Sequence, residues 1–174
     1  MRPATLRRSC ESAYPQISID IATGVIRGIG GGHAYEELQA WHSNMCLAVP
    51  SSSTVDGTWV KQETCGTSAD ANQHWQLLRL GNGYYRLVVR HSHKCLTAPM
   101  SPGDNGVVRQ RPCSTAANQQ WQFTALDGGY QVPARNSGKC LTIPYASTVD
   151  GAPAIQFPCR RAINQQWRLT GAPY

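Results

Sequence analysis

Side chains able to do chemistry recur in threes along this chain. Asn72-Gln73-His74-Trp75, Asn118-Gln119-Gln120-Trp121 and Asn164-Gln165-Gln166-Trp167 each set two amides beside an indole. Amides hold hydroxyl groups by hydrogen bonds, and an aromatic ring covers apolar ligand surface, so this is binding chemistry. Hydrolysis of glycosides instead takes two carboxylates about 5 to 9.5 Å apart. The recurrent carboxylates Asp56, Asp104 and Asp150 stand at turn dipeptides, where an Asx-type turn role is expected. His91-Ser92-His93 would place two imidazoles on one strand face, but no third metal ligand lies nearby in sequence. No G-x-S-x-G, H-E-x-x-H or P-loop pattern is present. The chain therefore reads as non-catalytic, with no cofactor and no metal.

The elements that position these groups follow from the spacing. Trp75, Trp121 and Trp167 are separated by 46 residues both times. A fixed period of this size marks an array of one supersecondary unit. Aligned on Cys65, Cys113 and Cys159, the copies share Gln62, Gln110 and Gln156 three residues earlier. They also share Cys46-Leu47, Cys95-Leu96 and Cys140-Leu141, followed by Val49-Pro50, Ala98-Pro99 and Ile143-Pro144. Asp56-Gly57, Asn105-Gly106 and Asp150-Gly151 suit tight hairpin turns because they tolerate positive φ. Tyr85, Leu87 and Val89 alternate with Tyr84, Arg86 and Val88 at the period of a half-buried strand. Pro133 interrupts the equivalent run, Tyr130-Gln131-Val132, placing that strand at an edge or delaying its start. No sustained 3.6-residue apolar face occurs. Each unit accommodates four short strands, and the fold class is all-β.

The order Cys-Leu, Asp-Gly, Cys, Asn-Gln-x-Trp resembles the repeat of ricin B-type lectins, a family also classed as carbohydrate-binding modules. The resemblance covers roughly residues 32–174, with repeats at about 32–80, 81–126 and 127–174. It implies a β-trefoil with pseudo-threefold symmetry, its three tryptophans packed near the axis. It also implies sugar sites made from an Asp after Cys-Leu, an aromatic two residues before the second Cys, and the Asn of Asn-Gln-x-Trp. Asn72, Asn118 and Asn164 match. The Asp positions hold Ala48, Thr97 and Thr142, and the aromatic positions hold Glu63, Arg111 and Phe157. Hydrogen bonds to charged groups are worth about 1.5–3 kcal/mol against 0.5–1.5 for neutral ones, so loss of the Asp weighs heavily. The third unit, with Thr142, Gln156, Phe157 and Asn164, is the expected carbohydrate site. The second, with Thr97, Arg111 and Asn118 beside Arg109, would suit an acidic sugar, and the first is degenerate. Trp41 and Trp59 occur once each, either as exposed stacking surfaces or as packing beside a strand.

Six of the seven cysteines form matched pairs, Cys46/Cys65, Cys95/Cys113 and Cys140/Cys159, and disulfides within each repeat are expected. Disulfides point to an oxidising compartment and a secreted protein, although no signal peptide precedes the repeats. Residues 1–31 match no repeat. They are expected to form an unassigned extension, with one strand at Ile17, Ile19 and Ile21, the unpaired Cys10, and a Gly28–Gly32 linker. No run approaches a membrane span. The net charge of +6 is scattered rather than striped with aromatics, which argues against nucleic acid. Expected partners are a glycan or polysaccharide, with a partner domain in a longer precursor. A protein-interaction or inhibitor-type trefoil that has lost sugar binding and contacts proteins through loops such as Ser51–Thr58 is the alternative.

Overall fold

The computed structural model describes residues 17–20, 25–28, 35–101 and 103–171. Six strand segments form a ring. Tyr35–Ala40 pairs with Trp75–Gly81, which pairs with Tyr84–Val89. Tyr84–Val89 pairs with Trp121–Gln122, and that strand resumes as Thr124–Leu126 to pair with Gly129–Gln131. Gly129–Gln131 pairs with Trp167–Gly171, which returns to Tyr35–Ala40. The result is a closed barrel without edges. Three hairpins project from one end: Cys46–Ala48 with Lys61–Glu63, Cys95–Thr97 with Arg109–Arg111, and Cys140–Thr142 with Ile155–Phe157. This is a β-trefoil.

Alternation builds the barrel wall. Tyr85, Leu87 and Val89 are buried while Tyr84, Arg86 and Val88 are half-buried, as a period of two requires. Trp75, Trp121 and Trp167 are fully buried in the core, and their indole N–H groups donate to Leu47 O (2.8 Å), Leu96 O (2.9 Å) and Leu141 O (3.0 Å). Each such bond ties a barrel strand to the hairpin of its own repeat and satisfies an otherwise buried donor. Between repeats the backbone closes a second ring. Val60 N–H donates to Val108 O (3.0 Å), Val108 to Ala154 O (2.9 Å) and Ala154 to Val60 O (2.9 Å).

The recurrent glutamines complete this link. Gln110, fully buried, donates to Ser53 O (2.6 Å) and Val55 O (3.0 Å) of the first repeat. Gln156 reaches Ser101 O and Gly103 O of the second, and Gln62 reaches Ser147 O and Val149 O of the third. Their amide oxygens accept from Ser92, Ser137 and Ser43. The aspartates also work between repeats, in place of the Asx-turn role expected for them. Asp150 Oδ2 accepts from Thr64 N and Oγ1 (3.0 and 2.6 Å), Asp104 binds Lys139 Nζ, and Asp56 faces Arg111.

Further expectations need correction. The second-repeat turn is Asp104-Asn105, with Asn105 at φ 61°, while Gly106 starts a strand. Pro133 lies within the closed barrel rather than at an edge. Its strand, Gly129–Gln131, ends early instead of starting late, and Pro133 O still accepts from Gln122 N–H (3.0 Å). His91 sits in a turn, not on a strand, and its Nε2 bonds Ser53 O at 2.9 Å. Ahead of the barrel, two strands rather than one are present, Ile17–Asp20 pairing with Val25–Gly28. Cys10, Ile21 and the linker beyond Gly28 lie outside the described residues. The three disulfides join Cys46–Cys65, Cys95–Cys113 and Cys140–Cys159.

His74 breaks the triplet of Asn-Gln-x-Trp. Gln120 at the matching position of repeat two accepts from Arg135, whereas His74 Nδ1 meets Arg90 Nη1 at 3.3 Å. Its Nε2 lies 3.7 Å from Glu37 Oε1, with the imidazole fully buried. Burial lowers its pKa below the ordinary 6.5, the Arg90 charge adds to this, and Glu37 opposes it. The native imidazole thus binds a proton less readily than the unfolded one. Stability is complete above the unfolded pKa of about 6.5 and falls as pH drops below it. The His74→Gln variant is expected to lose less melting temperature than the parent between pH 7.5 and pH 5. Equal losses in parallel thermal melts would show that His74 does not drive the acid response.

Candidate glycan-binding faces of the second and third repeats

In the second repeat, strand Cys95–Thr97 delivers Thr97 to the base of a cleft. Thr97 is 4% exposed; its Oγ1 donates to Cys95 O (2.9 Å) and accepts from Gln119 Nε2 (3.1 Å). A short 3-10 turn, Ala117–Gln119, brings Asn118 opposite. Asn118 Nδ2 donates to Ala98 O (2.9 Å) and Ala98 N–H returns a bond to Asn118 O (2.8 Å). Gln119 also accepts from Ser114 N–H (2.7 Å) and donates to Pro112 O (3.0 Å), so it clamps the segment after strand Arg109–Arg111. On that strand Gln110 faces the core, and Arg109 and Arg111 therefore share the other face.

Thr97, Asn118, Arg109 and Arg111 line one cleft of about 580 Å³, together with Asp56 from the first repeat and Met100. Arg109 Nη1 donates to Gly57 O (3.0 Å), and its guanidinium lies 5.4 Å from the Trp59 ring centre. Arg111 Nη1 stands 3.5 Å from Asp56 Oδ2, with both side chains about half exposed. The structure thus brings Thr97, Arg111 and Asn118 together, as the sequence suggests, and adds Asp56.

The third repeat repeats the frame. Thr142 donates to Cys140 O (2.8 Å) and accepts from Gln165 Nε2 (3.0 Å), while Asn164 Nδ2 donates to Ile143 O (2.7 Å). Phe157 is half-buried, with the Arg160 guanidinium 5.6 Å from its ring centre. Gln156 departs from expectation. It is 0% exposed, and its amide is occupied by Ser101 O, Gly103 O and Ser137 Oγ, so it faces the core and offers nothing to a ligand. Residues at successive strand positions point to opposite faces, which is why Phe157 and Gln156 cannot share a site.

The first repeat presents Ala48, fully buried, and Glu63, whose pKa is raised first by burial and then by Asp150. Asn72 Nδ2 still binds Val49 O at 2.9 Å. The Asn in every repeat is thus a clamp on the residue after Cys-Leu-x, whatever else it does.

Sequence reasoning missed Tyr145. It follows Pro144, is 98% exposed and holds φ 55°, a conformation uncommon for a bulky residue. Its turn, Pro144–Ala146, packs against the turn bearing Asn164, which puts it at the rim of the third face. The signal was an aromatic where repeat one carries Ser51. Trp59 is 45% exposed beside the second cleft. Trp41 packs elsewhere, on Gly128, where any Cβ would lie 2.4 Å from the indole, and Arg168 covers its ring at 3.7 Å.

The sequence pattern of the ricin-type beta-trefoil lectin domain matches residues 34–167. Among solved structures, the designed threefold-symmetric protein ThreeFoil is 45% identical, with a TM-score of 0.75, over 78% of this chain and 97% of that one. The exo-beta-1,3-galactanase 1,3Gal43A from Clostridium thermocellum is 28% identical, with a TM-score of 0.77, over 85% of this chain. The match spans only 32% of the galactanase chain. The agglutinin of Rhizoctonia solani shares the fold at 18% identity and a TM-score of 0.70, over 83% of this chain and 99% of that one. A comparison with curated proteins finds no match. This chain belongs to the ricin-type β-trefoil lectin family.

Proposed function

We propose that the trefoil is a non-catalytic carbohydrate-binding module, holding galactose- or xylose-type glycans or their polysaccharides weakly through its second and third repeats. The observation that carries this is the second-repeat cleft, where a threonine hydroxyl, an asparagine amide and two guanidinium groups converge over an apolar wall. In the third repeat Phe157 supplies the ring for the C–H face of a sugar, and Asn164, whose Nδ2 is engaged with Ile143 O, accepts from a sugar hydroxyl through its remaining Oδ1. The first repeat, with Ala48 and Glu63, is degenerate. Similarity to part of a galactanase supports a module joined to an enzyme in a longer secreted chain, and three disulfides suit an extracellular setting.

A second reading rests on Val55 and Val149, 68% and 66% exposed at matching loop positions, which offer apolar contacts to a protein partner. The two readings part on a glycan array probed with the oxidised full chain beside Asn118→Ala and Phe157→Ala. A Kd near 1 mM corresponds to only about −4 kcal/mol, so losing one neutral hydrogen bond of about 0.5–1.5 kcal/mol should weaken binding two- to tenfold. Asn118→Ala is expected to weaken ligands of the second repeat, and Phe157→Ala those of the third. Silence of the parent chain across neutral and acidic glycans would overturn the carbohydrate reading in favour of the protein partner.

A further inference from the structure

The cleft of the second repeat differs chemically from the same place in its neighbours. The two positions that flank the buried glutamine of the second hairpin strand are Arg109 and Arg111 here, the buried Ile155 and half-buried Phe157 in the third repeat, and Lys61 and Glu63 in the first. Of the three hairpin strands, the one in the second repeat carries two arginines on one face. Building on the carbohydrate reading, we propose that this cleft selects a glycan bearing a carboxylate, a uronic-acid type of sugar, with Arg109 and Arg111 receiving the acid group.

Several features converge on that ligand. A guanidinium is a planar fork that matches a carboxylate through two parallel N–H···O bonds, and it is more weakly hydrated than an ammonium. Arg109 is already oriented by Gly57 O and by the Trp59 ring, so little freedom is lost when it engages a ligand. Arg111 is held more loosely. Its contact with Asp56 is 3.5 Å between side chains that are about half exposed, and such surface pairs are worth little. A sugar carboxylate can therefore take the place of Asp56 on Arg111 at small cost.

The remainder of the cleft fits the rest of a sugar ring. Thr97, Asn118 and Ser114 carry hydroxyl and amide groups, while Pro99 and Met100 form an apolar wall. The chain's net charge of +6 favours the approach of a polyanionic polysaccharide. A neutral sugar can accept hydrogen bonds from the two arginines through its hydroxyls, but without the second charge of a carboxylate these bonds are about half as strong. The acid group is thus the feature by which the second and third repeats divide their ligands.

The test is calorimetric titration of the oxidised full chain with trigalacturonate, with its methyl ester and with xylotriose. The acid is expected to bind at least about tenfold more tightly than the ester, since charge-assisted bonds are about twice as strong as neutral ones. That margin should shrink as salt is added, because the arginines are solvent-accessible. Arg111→Gln should abolish the margin, and Arg111→Lys, which keeps the charge without the fork, should retain part of it. Phe157→Ala should leave it intact. Thermal melts of each variant confirm folding, so that lost selectivity is read only from folded protein. Equal binding of acid and ester overturns the inference and leaves the carbohydrate reading standing. Selectivity that survives both Arg109→Gln and Arg111→Gln also overturns it. Failure of trigalacturonate to bind also overturns it, whereas the carbohydrate reading itself falls only with silence across the glycan array.

Discussion

Reducing the three disulfides is expected to abolish cooperative unfolding of the trefoil at 37 °C. Each bond closes a loop of 18 or 19 residues, and loops of that length contribute about 3 kcal/mol each through the entropy of the unfolded chain. Together they account for about 9 kcal/mol, within the range of about 5–15 kcal/mol of a whole domain. The hairpins they join are only three residues per strand, too short to persist alone. One cysteine of each pair is fully buried, but its partner is half-buried (Cys65) or exposed (Cys113 and Cys159), so a thiol can attack without prior unfolding and reduction should proceed in native buffer. The check is a urea titration with and without reductant, followed by circular dichroism. A midpoint unchanged by reduction would show that the interlocked glutamines and core suffice.

The Gln156→Leu substitution is expected to cost about 3 kcal/mol or more, although it exchanges a polar core residue for an apolar one of similar size. The amide serves three groups at once, Ser101 O, Gly103 O and Ser137 Oγ, each of which loses a buried partner. Urea denaturation measures the stability. Ligand titration measures a second effect: the Ser101–Gly103 loop leads from Met100 to Gly106, both of which line the second-repeat cleft. Releasing that loop should therefore weaken ligands of the second repeat while sparing those that depend on Phe157. If instead Phe157-dependent binding alone were lost, Gln156 would have a ligand role that its burial excludes.

Legibility in the sequence followed locality. The 46-residue spacing of the tryptophans, the alternation in Tyr84–Val89 and the cysteine pairing all repeat within a unit, so three copies reinforce each pattern. The misreadings that bear on the site concern bonds between units. Asp56, Asp104 and Asp150 look like turn residues because their neighbours are turn residues, yet their carboxylates act on the next repeat around the axis. Gln156 looks like a ligand residue because Phe157 follows it, but a strand turns consecutive side chains to opposite faces. Its true role was signalled by Ser43, Ser92 and Ser137, each three residues before the first cysteine of its repeat. Pro133 suggested an edge, a concept that fails once a sheet closes on itself. At the site, Thr97, Arg111 and Asn118 were legible from the repeat alignment. Asp56 was not, because it lies 41 residues before Thr97 and meets it only through the ring of repeats.

The antiparallel pairing of Glu36 with Gly171 makes the point of entry and the point of exit immediate neighbours. Both lie at the barrel end that also carries the turns at Asn82-Gly83 and Asp127-Gly128, opposite the hairpins that bear the candidate sites. Strands Tyr35–Ala40 and Trp167–Gly171 thus begin and end at one place on the barrel. A fusion made at either of these two strand ends would therefore leave the hairpin end of the barrel uncovered.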